Sequence, residues 1–112
     1  VFNDGISSIG TYLCDTHPRT AIGLSEDKQT LYVVVVDGRR TNHAEGLDIY
    51  ELADFMWGIG SYDAVNYDGG GSSTMVLRDE DEKAKASFIV RNRPSDGSPR
   101  AVGNGLAIVE KD

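Results

Sequence analysis

The pattern of apolar and polar positions predicts two strands near the start of the chain. Residues 19–24 and 30–36 form two short apolar runs, and the polar residues 25–28 between them are typical of a turn. The second run is apolar on both faces, as in a strand that is covered from two sides. We therefore expect an antiparallel hairpin, preceded by a lead-in over residues 1–16.

The segment that follows carries the start signals of a helix. Asp48 and Glu51 have the spacing of a capping box, in which the Asp48 side chain accepts a hydrogen bond from the third helical amide and Glu51 reaches back. Gly58 or Gly60 is expected to end the helix. The apolar residues in between recur at helical spacing, and they are Leu52, Phe55, Met56 and Ile59.

The rest of the chain is predicted to consist of short strands and turns. Turn-forming residues occupy 68–73 and 92–97, and the acidic run 79–83 is expected to be a solvated hairpin tip. Strands are expected at 63–67, 74–77, 87–90 and 105–109. This order predicts a single α+β domain over residues 1–112, with a mostly antiparallel sheet and one principal helix.

Charge and composition narrow the classes of partner. The formal net charge of −7 repels nucleic acid, so no nucleic-acid partner is expected. No apolar stretch approaches the roughly 18 residues of a membrane-spanning helix, so no membrane insertion is expected. Cys14 is the only cysteine of the sequence, which excludes an internal disulfide and a cysteine-rich zinc site.

Residues 68–73, Asp-Gly-Gly-Gly-Ser-Ser, form the most informative segment and are called the glycine loop below. Backbone with so little side-chain bulk can adopt positive φ and direct successive N–H groups at one anion, although the same residues also suit a tight turn. The loop is not a P-loop, because no Lys-Ser/Thr pair follows. It is not a nucleophile elbow either, because Thr74 occupies the position of the second glycine.

Charged residues next to predicted strands are further candidates for a site. Asp37 and Arg39 follow the second strand, and Arg19 opens the first, where a guanidinium near the glycine loop would supply a bidentate phosphate contact. A solvated turn and a surface ion pair are the alternatives. His17 and His43 leave open a zinc site that borrows carboxylates or a serine nucleophile in the glycine loop, and neither is favoured.

Five motifs occur in one order and at family-like spacing, and together they resemble the phosphodiester glycosidase family. They are HPRTAIG at residues 17–23, VDGR at 36–39, GLDIYELA at 46–53, NYDGGGSST at 66–74 and NRPSD at 92–96. The family's domain normally begins upstream of these motifs, so the chain resembles the C-terminal part of a larger domain.

The resemblance implies hydrolysis of a sugar-1-phosphodiester, such as one of N-acetylglucosamine, between the anomeric carbon and the phosphate oxygen. Asp68 is the first choice for the catalytic carboxylate and Asp37 the second, and no metal or other cofactor is required. The alternative is a non-catalytic module that binds phosphorylated or acidic glycans. The residues expected to bind substrate are Arg19, Thr20, Arg39, Gly69, Gly70, Gly71, Ser72, Ser73, Asn92, Arg93 and Asp96.

The resemblance also implies an extracellular or cell-envelope location. The expected partners are a small-molecule or glycan sugar phosphate and, to complete the site, either another segment of the same domain or a second copy of the chain.

Overall fold

The computed structural model describes residues 14–78 and 88–111 and has the predicted α+β architecture. Three strands form an antiparallel sheet in the order β2-β1-β3, and two further strands, β4 and β5, form a separate antiparallel pair. The elements are β1 (Arg19–Leu24), β2 (Leu31–Val36), α1 (Ile49–Gly58), β3 (Asp63–Asn66), a 3₁₀ turn (Gly70–Ser72), β4 (Val76–Arg78) and β5 (Phe88–Val90).

The predicted hairpin is confirmed. β1 and β2 pair from Arg19 opposite Val36 to Leu24 opposite Leu31. β3 pairs with the other edge of β1, antiparallel as well. Because β1 runs against both neighbours, the ends of β2 and β3 lie at the same edge of the sheet as the start of β1. The loops that carry Asp37 and the glycine loop therefore leave the sheet on one side.

The predicted helix start is also confirmed. Asp48 is the N-cap, and its Oδ1 accepts a hydrogen bond of 2.8 Å from the Glu51 amide. That hydrogen bond lowers the pKa of Asp48, whereas the contact with the Asp48 side chain raises the pKa of Glu51. The helix ends at Gly58, and Gly60, at φ +107°, turns the chain back toward β3.

One face of the sheet packs against α1. The buried core consists of Ala21, Ile49, Leu52 and Met56. Gly23 brings β1 close to the helix, since a Cβ there would lie 2.9 Å from Met56 Cε. The opposite face of the sheet remains open in the described part of the chain and holds a shallow depression of about 360 Å³ bordered by Leu31 and Val65.

No helix in residues 14–78 and 88–111 is long and apolar enough to cross a membrane.

Two predicted strands differ from the structure. The strand expected at 74–77 is shifted to Val76–Arg78, because the Met75 amide donates to the Asn92 side chain instead of a ladder partner. The strand predicted at 105–109 was wrong: these residues are exposed and have no regular secondary structure. A strand needs a neighbour for its N–H and C=O groups, and no described strand pairs with this segment. The acidic run 79–83 lies outside the described residues.

Candidate functional site

Three loops meet at the candidate site, and the glycine loop is one of them. The loop after β2 contributes Asp37, and the segment after β5 contributes the backbone of Arg93, whose amide lies 3.0 Å from both carboxylate oxygens of Asp37. The glycine loop itself is fixed to the start of β1, because the Gly70 amide donates to the Pro18 carbonyl over 2.9 Å. The Asp37 side chain thus joins two loops that are 56 positions apart in sequence.

Asp37 is the most heavily hydrogen-bonded carboxylate of this region. Besides the Arg93 amide, its Oδ2 lies 2.8 Å from Nε2 of His43, whose Nδ1 lies 3.3 Å from Nη1 of Arg93. Burial raises the pKa of Asp37, but hydrogen bonds from His43, the Arg93 amide and the Asn92 side chain outweigh it and lower the pKa below its ordinary value. Asp37 is therefore a carboxylate at neutral pH and holds two loops together.

Arg39 lies directly against the glycine loop. Its Nε and Nη2 atoms are 3.2 and 2.9 Å from Nδ1 of His17, and a Cβ on Gly70 would lie 3.0 Å from its Nη1. Arg39 and Gly70 both have left-handed backbone, at φ +52° and +59°. A non-glycine residue in that conformation is strained, and such strain is concentrated at functional sites.

The amides of the glycine loop are largely used within the protein. Those of Ser72 and Ser73 donate to carbonyls of the loop itself, and that of Gly69 donates to Oδ1 of Asp68 over 3.0 Å. With the Gly70 amide on Pro18, the loop amides that have no acceptor among the described residues are those of Asp68 and Gly71. The arginine side chains, more than the backbone, therefore present donors at this loop.

The loop after β5, residues 92–100, packs over the glycine loop. The Asn92 side chain donates to the Ser73 carbonyl over 2.8 Å and accepts from the Met75 amide over 2.9 Å. Asp96 and Arg100 form an ion pair of 2.9 Å, and a Cβ on Gly71 would overlap both side chains. Gly71 is thus required by close packing, although its φ lies outside the left-handed region.

Arg19 directly follows Pro18, whose carbonyl accepts the Gly70 amide of the glycine loop. The Arg19 side chain is fully buried, and its Nε and Nη2 atoms donate to the carbonyls of Leu47 and Asp15, each over 2.9 Å. The guanidinium therefore joins β1 to the segment before the helix, where it supports the fold. Thr20 is half-buried, and its carbonyl accepts the Tyr67 amide that leads into the glycine loop.

The serines of the glycine loop do not form a nucleophile system with His43. Both ring nitrogens of His43 face Asp37 and Arg93. The hydroxyl of Ser73 is buried and has no hydrogen-bond partner in the structure.

Sequence reasoning did not place the two histidines, Arg40 or Arg100 among the residues expected to bind substrate. Nothing in the spacing of His43 pointed to Asp37 and Arg93, whereas His17 could have been found because it opens the first matched motif. Arg100 lies four residues after Asp96, a spacing at which opposite charges often pair. Arg40 approaches Gly97, where a Cβ would lie 3.7 Å from its Nη1.

The charge of this region is opposite to that of the chain. The site brings together four arginines and three carboxylates in a protein of net charge −7, and the carboxylates are Asp37, Asp68 and Asp96. No group of three His, Cys, Asp or Glu side chains with metal-binding geometry is found in residues 14–78 and 88–111. The arrangement suits the binding of a small anion through guanidinium groups.

Comparison with known proteins gives the family. The family model for phosphodiester glycosidases matches residues 3–109. The N-acetylglucosamine-1-phosphodiester alpha-N-acetylglucosaminidases of Bos taurus and Mus musculus are each 39% identical to this chain over 59 residues, which is 53% of the chain and 11% of each relative. The chain therefore spans a small part of the length of these relatives. On the family match, this chain belongs to the phosphodiester glycosidase family.

Proposed function

We propose that this protein hydrolyses a sugar-1-phosphodiester, with the bond between the anomeric carbon and the phosphate oxygen as the one that breaks. The observation that carries the proposal is the placement of Arg39 against Gly70, next to a loop that carries Asp68. The names of the two relatives favour an N-acetylglucosamine-1-phosphodiester as substrate.

The phosphate is assigned to the arginines. A guanidinium presents paired N–H groups that match two phosphate oxygens, and Arg39 and Arg93 are held in place by their contacts with His17 and His43. The phosphodiester is a weakly basic leaving group, so departure of the phosphate needs little protonation. Positive charge at the phosphate is therefore the main help that the leaving group needs.

Asp68 is the proposed catalytic carboxylate. Asp37 uses both oxygens to hold the Arg93 amide and His43, which makes it an anchor of the loops. Asp68 is exposed and uses Oδ1 for the neighbouring Gly69 amide, while no described residue donates to its Oδ2. That oxygen is available to stabilise or attack an oxocarbenium-like anomeric carbon.

The test compares wild type, Asp68→Asn and Asp37→Asn in the full-length protein, with release of free sugar from a synthetic N-acetylglucosamine-1-phosphodiester as the assay. For Asp68→Asn we expect kcat to fall by several orders of magnitude while the substrate still binds, because a lost transition-state interaction lowers the rate rather than ground-state affinity. Asp37→Asn should weaken binding and stability as well.

The outcomes separate the alternatives. Near wild-type turnover by Asp68→Asn would assign the glycine-loop carboxylate a structural role and transfer the proposal to Asp37. Binding without release of sugar by wild type would favour the non-catalytic glycan-binding module. Labelling of Ser72 by an acylating probe would favour a serine hydrolase.

A further inference from the structure

Both histidines of the chain face an arginine of the proposed site through the same ring nitrogen. Nδ1 of His17 lies 2.9 Å from Nη2 of Arg39, and Nδ1 of His43 lies 3.3 Å from Nη1 of Arg93. The sequence contains two histidines in all, so every imidazole of the protein has this arrangement.

The donors and acceptors next to each imidazole decide which of its ring nitrogens carries a proton. A guanidinium has N–H donors and no acceptor, so the nitrogen that faces it must offer a lone pair. Nδ1 of His17 and Nδ1 of His43 are therefore unprotonated. On the other side of His43, Nε2 faces the Asp37 carboxylate, an acceptor, and must carry the proton.

We propose that His17 and His43 are positioning residues which, in their neutral form, orient Arg39 and Arg93 to bind the phosphodiester monoanion. This inference rests on the proposed function, because it assumes that the two arginines contact the phosphate. It adds a dependence on pH at His17: protonation of Nδ1 turns the acceptor into a donor directed at the Arg39 guanidinium, and Arg39 loses its support.

The charged groups around His17 agree with this role. His17 faces the guanidinium groups of Arg39 and Arg19, with Asp15 as the opposing carboxylate, and burial followed by the two arginines lowers its pKa from the ordinary 6.5. His17 therefore stays neutral at physiological pH, and its support for Arg39 is lost as the pH falls through the lowered pKa. His43 lies between Asp37 and Arg93.

The test measures binding of the methyl phosphodiester of N-acetylglucosamine-1-phosphate to the full-length protein by calorimetry, from about pH 8 to about pH 5. All proteins in this test, including the wild-type reference, carry Asp68→Asn so that the diester is bound and not hydrolysed. A diester keeps a single negative charge over this range, so a change in affinity reports on the protein. For wild type we expect the affinity to fall about tenfold as the pH is lowered, because Arg39 loses the hydrogen bond to His17.

Two substitutions at each histidine separate positioning from packing. His17→Leu and His43→Leu keep the volume but remove the acceptor, and each should weaken binding about threefold to tenfold at pH 8. In His17→Asn and His43→Asn, Oδ1 replaces Nδ1 as the acceptor and does not titrate. The asparagine variants should recover most of the affinity that the leucine variants lose, and the double variant should bind with no pH dependence.

Retention of the wild-type pH profile by the double asparagine variant would overturn the inference. The proton positions can also be read in wild type, without any substitution, from the ¹⁵N chemical shifts of the two imidazoles. A protonated Nδ1 on both rings at pH 8 would overturn it as well.

Arginine variants distinguish this inference from the proposed function. Arg39→Ala and Arg93→Ala should weaken binding, whereas Arg78→Ala, on an exposed strand away from the three loops, is the matched control. Unchanged binding by both site variants would overturn the proposed phosphate site and the inference with it. Weaker binding by the arginine variants with no effect of the histidine variants would overturn the inference alone.

Discussion

Glycine-to-alanine substitution is expected to change stability in opposite directions at Gly58 and Gly70. Gly58 is the last residue of the helix, its φ lies outside the left-handed region, and a Cβ there would meet no atom within 4 Å. Alanine restricts the unfolded chain and favours the helix. Gly58→Ala should therefore stabilise the protein by up to about 1 kcal/mol.

At Gly70 a methyl group is expected to destabilise the fold through backbone strain and to press against a neighbouring side chain. With φ at +59°, alanine costs roughly 1–2 kcal/mol. The new Cβ would lie 3.0 Å from Nη1 of Arg39, the far end of a flexible side chain, so the guanidinium moves by a few tenths of an ångström at little further cost in stability. Because the same guanidinium contacts His17, a shift there disturbs the orientation of Arg39, and Gly70→Ala should also weaken binding of the phosphodiester.

Gly46→Ala is expected to be the most destabilising of the three glycine-to-alanine substitutions. Its φ is +103°, and a Cβ would overlap the backbone of His17, which is paired with Leu47 and cannot move aside. Gly46→Ala should cost about 3 kcal/mol or more. Urea unfolding at constant m value gives the order Gly58→Ala, wild type, Gly70→Ala, Gly46→Ala. Equal midpoints for the Gly58 and Gly70 variants would refute the reasoning from backbone conformation.

Three other substitutions test the fold around the site. Asp48→Ala removes the N-cap and should lower the free energy of unfolding by about 0.5–2 kcal/mol in urea, with no loss if the helix starts elsewhere. Arg19→Ala removes buried hydrogen bonds of a charged group and should cost about 1.5–3 kcal/mol, so an unchanged melting temperature would return Arg19 to a ligand-binding role. The pKa of Asp37 is lowered in the folded protein, so the Asp37 carboxylate stabilises the fold at pH values above its ordinary pKa of 3.8. This stabilisation is lost as the pH falls through the lowered pKa. Asp37→Asn should therefore remove this part of acid unfolding, which circular dichroism against pH would measure.

The parts of the fold that sequence predicted are those with local causes. The Asp48 cap, the helix and the first hairpin follow from residues within a few positions of one another. The strand expected at 105–109 failed because pairing depends on a distant neighbour, which the apolar residues of the segment do not reveal. For the same reason the sequence grouped Asp37 and Arg93 as candidates but gave no sign that the carboxylate of one binds the amide of the other.

The opposite signs of the chain and the site have a consequence for selectivity. At physiological ionic strength charges are screened beyond about 8 Å, so a guanidinium acts on an anion in contact with it, while the net charge of −7 still disfavours a long polyanion that must run across the surface. Arg39 and Arg93 are already held by His17 and His43 before a ligand arrives, so less conformational freedom is lost on binding. A small monoanionic diester gains from close contact with the guanidinium groups and from the arginines that are already held in place. A polyanion gains only from the arginines held in place, because the net charge of the chain opposes it.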